Sequence, residues 1–313
     1  MGNQAPTATG KVEVTGLWVY PVKSCRGIAL DEARLNKYGF EHDREWMVVT
    51  EQARDNLRSF VTLRQIPRMA LVVPRFEDEH LCLDAPGMDT LRIPLAYSAE
   101  HDKADHEQVR LWSATVPVVD EGAEAAQWLS TFLKKPLRSL TLRLVRMTKD
   151  FSRRVDPDWS VPGVESITSL TDCQPFLVVS QESLDDLVAR VEQIASENGE
   201  EAVHITMDRF RPNIVVRGAG KPFAEDFWRK LKIGGVEFHV AQPCDRCMLP
   251  RVDPVLGELG KHEPTRSLTT FRTRNGKQYF GQYLLHTSYT GSIKTGQEVE
   301  VVEQADESNL DTL

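Results

Sequence analysis

Short apolar runs broken by turn residues dominate the first half of the chain. Between Val12 and about Val145, VEVTGLWVYPV, REWMVVT, MALVVP and LCLDAP are rich in β-branched and aromatic residues, which suit a pleated, half-buried surface and predict strands. One helix interrupts them, predicted from Ala123 to Leu133 because Ala126, Leu129, Phe132 and Leu133 recur at helical spacing. Asp150 to Thr171 is rich in Pro, Ser and Asp and reads as a long linking loop. After it PFLVVS reads as a strand. A strong helix follows, predicted from Ser183 to about Ala195: Leu184, Leu187, Val188, Val191 and Ile194 form its apolar stripe, and Ser180 and Ser183 offer capping oxygens. Glu192 to Glu201 reads as a charged loop. Strand character returns in NIVVRG, KLKIGGVEFHVAQP, QYFGQYLLHT and GSIKTGQEVEVVE, and Ala305 to Leu313 reads as a frayed acidic tail.

A chain of 313 residues is long enough for two packed units. The pattern predicts a strand-dominated α+β fold of two β-barrel-like parts, residues 10–150 and 151–303, with 304–313 as a flexible tail. No glycine-rich strand-to-helix turn of the dinucleotide type appears, which argues against a Rossmann fold. A net charge of −8 and a pI near 5.6 speak against a general nucleic-acid binder but leave room for a local basic pocket. Cys25, Cys82, Cys173, Cys244 and Cys247 are an odd, sparse set, which indicates a reducing compartment rather than a disulfide framework. No apolar run reaches membrane-spanning length, and MGNQAPTATG lacks the marks of a signal or transit peptide. Gly2 is followed by Pro6 where a myristoylation motif needs Ser or Thr, so the expected location is the cytoplasm.

The sharpest chemical feature is Cys244-Asp-Arg-Cys247. Two cysteines at this spacing suit zinc, thiol exchange or a single soft-metal ligand, and equally suit two buried thiols in a turn. A structural zinc site needs four ligands. Only His239 and His262 flank the pair, without the spacing of a zinc finger. A thioredoxin-like role needs a βαβ setting that the flanks do not offer. A second feature is the set of basic and amide residues beside strand ends: Lys23 and Ser24 in YPVKSCRG, Arg44 in EHDREW, and Arg211 and Asn213 in RFRPN. Arginine forks match phosphate oxygens bidentately and lysine serves as a point charge. Each alone fits a solvated surface residue; the set gains meaning only if it converges.

The longer segments resemble the MOSC family, named for the molybdenum-cofactor sulfurase C-terminal domain, in the two-part arrangement of the mitochondrial amidoxime-reducing components. The likeness runs from GLWVYPVKSCRGIAL, YGFEHDREWMVV and TLRQIPRMALV through FRPNIVV, AEDFW, IGGVEFHV, CDRCMLPRVDPVLGE, FGQYLL and GSIKTGQEVEV, and covers roughly Val12 to Val302 in order. It implies an N-terminal MOSC-associated β-barrel-like domain and a C-terminal MOSC β-barrel. It also implies a molybdenum–molybdopterin cofactor, with Lys23, Ser24, Arg44, Arg211 and Asn213 at its phosphate and pterin. Arg246 and Cys247 fall at the metal end with Tyr283 close by; Cys247 matches the metal ligand, Arg246 is expected to act with it, and Cys244 matches a cysteine that does not coordinate. Soft thiolates suit the metal, and a neighbouring cation such as Arg246 would favour the ionised thiol. Two positions depart from the pattern. Cys173-Gln174 replaces a hydroxyl-bearing pair and Asp245 a small polar residue; all three remain candidate cofactor contacts.

The resemblance implies a molybdenum oxidoreductase that reduces N-hydroxylated substrates (amidoximes, hydroxylamines, N-oxides). Its electrons would come from NADH through a reductase and a b-type haem cytochrome. The alternative is a cofactor-binding or sulfur-carrier module without turnover, although no pyridoxal-phosphate lysine domain is visible. Family members carry an N-terminal anchoring helix; this chain starts almost directly at its first strand, so a soluble form is expected.

Overall fold

The computed structural model describes residues 11–51, 57–98, 101, 106–133 and 141–306. The chain opens with β1 (Glu13–Val19), which pairs with Ile214–Arg217, and β2 (Glu32–Asn36), which pairs with Ser292–Lys294 in a separate small sheet, so both strands join the second half of the chain. A smaller sheet comes next, from β3 (Trp46–Thr50), β4 (Glu107–Leu111) and β5 (Ala114–Asp120); α1 (Ala123–Phe132) then leads to its last strand, β6 (Leu142–Met147). These strands lie in the order β3–β6–β5–β4, with Arg58–Ser59 at the edge. Alternation in β3 sends Trp46 and Val48 into one core, packed under α1 with Leu129, Leu142 and Leu144, and Met47 and Val49 into another with Val118, Val145 and Phe151.

The second half supplies β7 (Phe176–Ser180), α2 (Gln181–Asn198), β8 (Ile214–Arg217), β9 (Trp228–Ile233), β10 (Val236–Arg246), α3 (Thr265–Phe271), β11 (Lys277–His286), β12 (Ser292–Lys294) and β13 (Val299–Gln304). The large sheet runs β1–β8–β7–β11–β10–β9–β13. Its two edges then meet. The Val14 and Val299 amides bond to the Gln297 and Val12 carbonyls, Gly296 bonds to Val14, and Glu13 bridges Glu298, so the sheet closes into a barrel. Closure removes the exposed edges that an open sheet presents. Leu17, Phe40, Phe176, Ile214, Leu231, Phe238 and Leu284 fill the interior, and Phe176 meets Phe40 and Phe238 edge to face at 4.9 and 5.3 Å.

The strand-dominated α+β fold is as expected, with local corrections. MALVVP is not one strand: Pro67 starts a 3-10 turn that runs to Leu71, and extended chain resumes at Val73. The second helix starts earlier and ends later than its apolar stripe implied. Ser180 caps it by accepting from the Ser183 amide, and it runs through the supposed loop to Gly199, whose left-handed backbone (φ 65°) sends its amide to the Ala195 and Ser196 carbonyls. Helix α3 was unexpected, because TRSLTTF has too few apolar residues to signal a helix. Residues 307–313 of the expected tail lie outside the described residues. Among the described residues no helix is long and apolar enough to cross a membrane.

Candidate functional site

The turn that leaves β1 is the first wall of the site. The Lys23 amide bonds to the Trp46 carbonyl at 2.7 Å, so this turn is stitched to β3, where the two sheets meet. Arg44 comes from the residues just before β3, Arg211 from the 3-10 turn entering β8, and Arg246 and Cys247 from the end of β10. Two register shifts in the β10–β11 ladder, between Val240 and Gln242 and between Pro243 and Asp245, bend that end of β10 and re-aim the cysteine pair. Glycine is required opposite: Gly281 of β11 has φ 83°, and a Cβ there would lie 2.9 Å from the Val178 carbonyl oxygen.

Lys23, Ser24, Arg44, Gln174, Arg211, Asn213, Asp245, Arg246, Cys247 and Tyr283 all line one cavity of about 100 Å³, together with Cys244 and Asp172. The scattered sequence candidates therefore converge, Cys173 excepted. Cys173 lines a second, larger cavity that shares Asp172 and Gln174 with the first. Ser24, Arg44 and Arg211 all have left-handed backbones, with φ of 70°, 49° and 58°. Such non-glycine conformations cost of order 1–3 kcal/mol each and persist where surrounding structure fixes them. Their clustering on one cavity is independent of any sequence motif.

Side-chain geometry separates those residues already satisfied from those that are not. Lys23 is buried and donates to Asp172 at 2.5 Å and to the Leu170 carbonyl at 2.9 Å. Burial lowers its pKa, and Asp172 partly restores it. Desolvation by its neighbours opposes ionisation of the half-exposed Asp172, but the Lys23 ammonium prevails and holds that carboxyl well below its usual range. Arg44 binds both oxygens of the buried Asp43 at 2.6 and 2.7 Å and also donates to Asn213 Oδ1 at 3.1 Å. Asn213 is spent on protein partners, donating to the Trp18 carbonyl and accepting from the Leu177 amide, so it orients Arg44 and joins strands. Arg211 donates to the Cys25 carbonyl and Arg246 to the Phe210 carbonyl; neither has a carboxylate partner among the described residues. Burial, then the neighbouring Arg44, pushes Arg211 down to about 10. Arg246 Nε is buried with no hydrogen-bond partner.

The cysteine pair is asymmetric. Cys244 is buried and its sulfur accepts from Arg246 Nη1 at 2.8 Å; burial raises its pKa, and Arg246 opposes the rise. Cys247 is exposed and accepts from the Leu249 amide at 3.4 Å. The guanidinium of Arg246 donates to the sulfur of Cys244, and its charge also acts on Cys247. Asp245 is exposed and pairs with Lys277 at 3.2 Å on the rim. Cys173 is pushed up to about 11 by burial and the charge of Asp172, and burial keeps the Tyr283 hydroxyl protonated well past its ordinary range. Among the described residues no group of three or more His, Cys, Asp or Glu side chains gathers as a metal site would.

Residues 11–136 match the MOSC N-terminal beta barrel domain and residues 165–300 match the MOSC domain. Mitochondrial amidoxime reducing component 2 of Bos taurus is 33% identical over 299 residues, covering 91% of this chain and 82% of that protein. The chain belongs to the MOSC family. Mitochondrial amidoxime-reducing component 1 of Mus musculus is 33% identical over 303 residues, covering 93% of this chain and 82% of that one. Molybdenum cofactor sulfurase of Homo sapiens is 28% identical over 289 residues, covering 90% of this chain but 31% of the sulfurase.

Three residues of this MOSC site, Tyr20, Asp43 and Asp172, were not named from the sequence. Tyr20 is buried, with the guanidinium groups of Arg44 and Arg211 packed on its ring at 4.2 and 4.3 Å. Gly27 leaves room for it, since a Cβ there would stand 2.5 Å from the Tyr20 ring. Asp43 fixes Arg44, and Asp172 fixes Lys23. Asp43 might have been suspected from its place beside Arg44 in EHDREW; nothing local marks Tyr20 or Asp172.

The donor set fits a phosphorylated pterin carrying a soft metal. Lys23 and Arg44 each have a carboxylate, Asp245 has Lys277, and Arg211 and Arg246 remain as two uncompensated cations, close to the charge of a phosphate monoester near neutral pH. A soft, solvent-open sulfur lines the same cavity.

Proposed function

We propose that this MOSC protein holds a molybdenum–molybdopterin cofactor, with the thiolate of Cys247 as the protein's ligand to the metal, and reduces N-hydroxylated compounds such as amidoximes, hydroxylamines and N-oxides. The observation that carries the reading is the pairing, on one cavity, of two guanidinium groups without counter-charge and one exposed thiol. Lys23, Ser24, Arg44 and Arg211 would hold the phosphate; Gln174, Cys173, Asn213 and Asp245 would flank the pterin; Arg246 and Tyr283 would border the metal end. When bound, the group supplies two-electron chemistry at a substrate oxygen, and the conversion balances as R–NHOH plus two electrons and two protons giving R–NH2 and water. The chain's own part is to bind, orient and shield. The Tyr283 hydroxyl, kept protonated by burial, offers a hydrogen-bond donor at the wall. Asp43 and Asn213 keep the Arg44 fork in one orientation.

Electrons would arrive from NADH through a reductase and a b-type haem cytochrome, in the cytoplasm or at the mitochondrial surface. Residues 151–303 would be the unit that carries the ligand cysteine, and 10–150 the N-terminal unit, with β1 and β2 of the latter paired to strands of the former. The test is molybdenum analysis and benzamidoxime reduction by purified wild type and Cys247→Ala. We expect near-stoichiometric molybdenum and turnover in the wild type, and loss of turnover in the variant. Full activity in Cys247→Ala would overturn the ligand assignment.

Similarity to a molybdenum cofactor sulfurase over nine-tenths of this chain supports a second reading, a cofactor or sulfur carrier without turnover. Retained cofactor with no N-reduction would favour it.

A further inference from the structure

Beside the cation cavity lies a larger one of about 780 Å³, and the two share Asp172 and Gln174. We propose that this larger cavity is the chamber for the organic body of the substrate, taking a flat, largely apolar molecule about the size of a substituted aromatic ring, and that it opens on the cation cavity at the Asp172–Gln174 junction. The proposal rests on the reductase reading of the neighbouring site and adds where, and by which residues, the substrate is chosen.

The volume falls within the roughly 300–1,000 Å³ of pockets that enclose small organic ligands. Apolar surface outweighs polar in the lining, although Asp156, Ser160, Glu165 and Ser166 share the loop that overhangs the cavity. At the junction, Gln242 donates to the buried Gln174 at 3.0 Å, and Gln174 donates to the Trp159 carbonyl at 3.5 Å, a relay that ties barrel strand β10 to the overhanging loop. The far wall of that loop is Pro157, Trp159, Val161, Pro162 and Val164. Trp159 is 47% exposed, an indole face that gains by being covered, at ~25 cal/mol per Å² of apolar surface removed from water. A pterin edge consists of hydrogen-bond donors and acceptors and would leave them unmatched against those side chains. An apolar ring would not. Arg153 donates to the Ser169 and Thr171 carbonyls at 3.1 and 2.7 Å, with the charge of Asp172 beside it.

The opposite wall comes from the β4–β5 hairpin. At its tip Trp112 has a left-handed backbone (φ 56°), and its indole N–H donates to Asp172 at 3.0 Å, the same carboxylate that holds Lys23. The chamber is thus pinned to the cation cavity by a residue in a strained conformation, a mark of positions that surrounding structure has fixed.

The test uses the purified holoprotein and two variants: Trp159→Ala, which empties the wall, and Val161→Trp, which fills the space. Each should raise KM for benzamidoxime about tenfold relative to KM for hydroxylamine, which has no organic body, the size of effect one aromatic contact gives. Molybdenum per chain should stay at the wild-type level. An unchanged KM ratio in both variants overturns the proposal. So does loss of molybdenum from Val161→Trp, which would assign the space to the pterin. Should the wild type turn over neither compound, calorimetric titration with benzamidoxime decides. Binding that Val161→Trp abolishes keeps the chamber and removes the reductase reading; a wild type that binds none removes the chamber.

Discussion

Replacing Lys23 by Met separates a cofactor-holding lysine from a structural one. The side chain is 5% exposed, and its ammonium has two partners, Asp172 at 2.5 Å and the Leu170 carbonyl at 2.9 Å. Methionine keeps most of the apolar stem and removes the charge. The loss to a bound phosphate is one charge-assisted contact, about 1.5–3 kcal/mol, or roughly ten- to a hundredfold in affinity. The loss to folding is smaller. The side chain of Asp172 is 41% exposed, keeps the Trp112 donor and can rehydrate, so the broken pair falls toward the weak end of ion pairs, about 1 kcal/mol. Burying a thioether instead of an ammonium offsets part of that. In a chain this long, about 1 kcal/mol moves Tm by roughly 2–4 °C. Molybdenum per chain, the fluorescence of released pterin and a thermal melt of the cofactor-free protein read the two quantities separately. The expected result is heavy loss of cofactor with a nearly unmoved melt. Full loading of Lys23→Met refutes the reasoning. A cofactor-free melt lowered by more than about 8 °C would refute it too, because the turn would then depend on the lysine to fold.

Other outcomes follow from the same geometry. Iodoacetamide on the native cofactor-free protein should label Cys247 first and Cys25 last, since burial pushes Cys25 up to about 12; bound cofactor should protect Cys247, and equal labelling of both would contradict the burial pattern. His286 donates from Nε2 to the Asn36 carbonyl at 2.7 Å, and burial holds its pKa below the ordinary 6.5. With the folded value depressed, its contribution is complete above about 6.5 and is lost as pH falls through the folded value, at up to about 1.4 kcal/mol per pH unit. Melts of the wild type should therefore weaken on acidification below that point, and His286→Gln should flatten that segment of the profile. Arg146→Ala should destabilise by about 3–5 kcal/mol in denaturant unfolding, because it takes the guanidinium from the buried Glu121, leaving it the Trp46 indole and His101, and orphans the Pro94 and Leu95 carbonyls; a change under about 1 kcal/mol would show the pair to be dispensable.

Periodicity made most strands and the two longer helices legible, because alternation and helical stripes are local signals. Its failures have local causes as well. The stripe of α2 stops near Ala195 while the helix runs on to a left-handed glycine, since a charged last turn needs no apolar face once Gly199 closes its carbonyls. Which segments close the barrel was not legible: Val12–Val14 meets Gly296–Val299 across almost the whole chain, and no pattern within either segment names the other. The site was half legible. Its cations stood out as residue types, but their convergence rests on Tyr20 packing Arg44 against Arg211 and on Asp43 and Asp172 choosing their orientation.

Which cysteine is free to bond a metal is decided by the guanidinium between them in sequence. CxxC alone is symmetric, and sequence does not say which sulfur Arg246 bonds to. The bulges at the end of β10 turn Arg246 inward, where it bonds to the Cys244 sulfur and the Phe210 carbonyl while its charge still acts on Cys247. Cys244 is then buried and already engaged, a thiol that would have to surrender a charged donor before bonding anything else. Cys247, one residue past the fork, keeps a single long contact to an amide and an open face to solvent. A thiol-exchange couple needs both sulfurs free to approach one another, whereas a lone soft ligand needs one sulfur exposed on a cavity of uncompensated positive charge. The geometry meets the second requirement and obstructs the first.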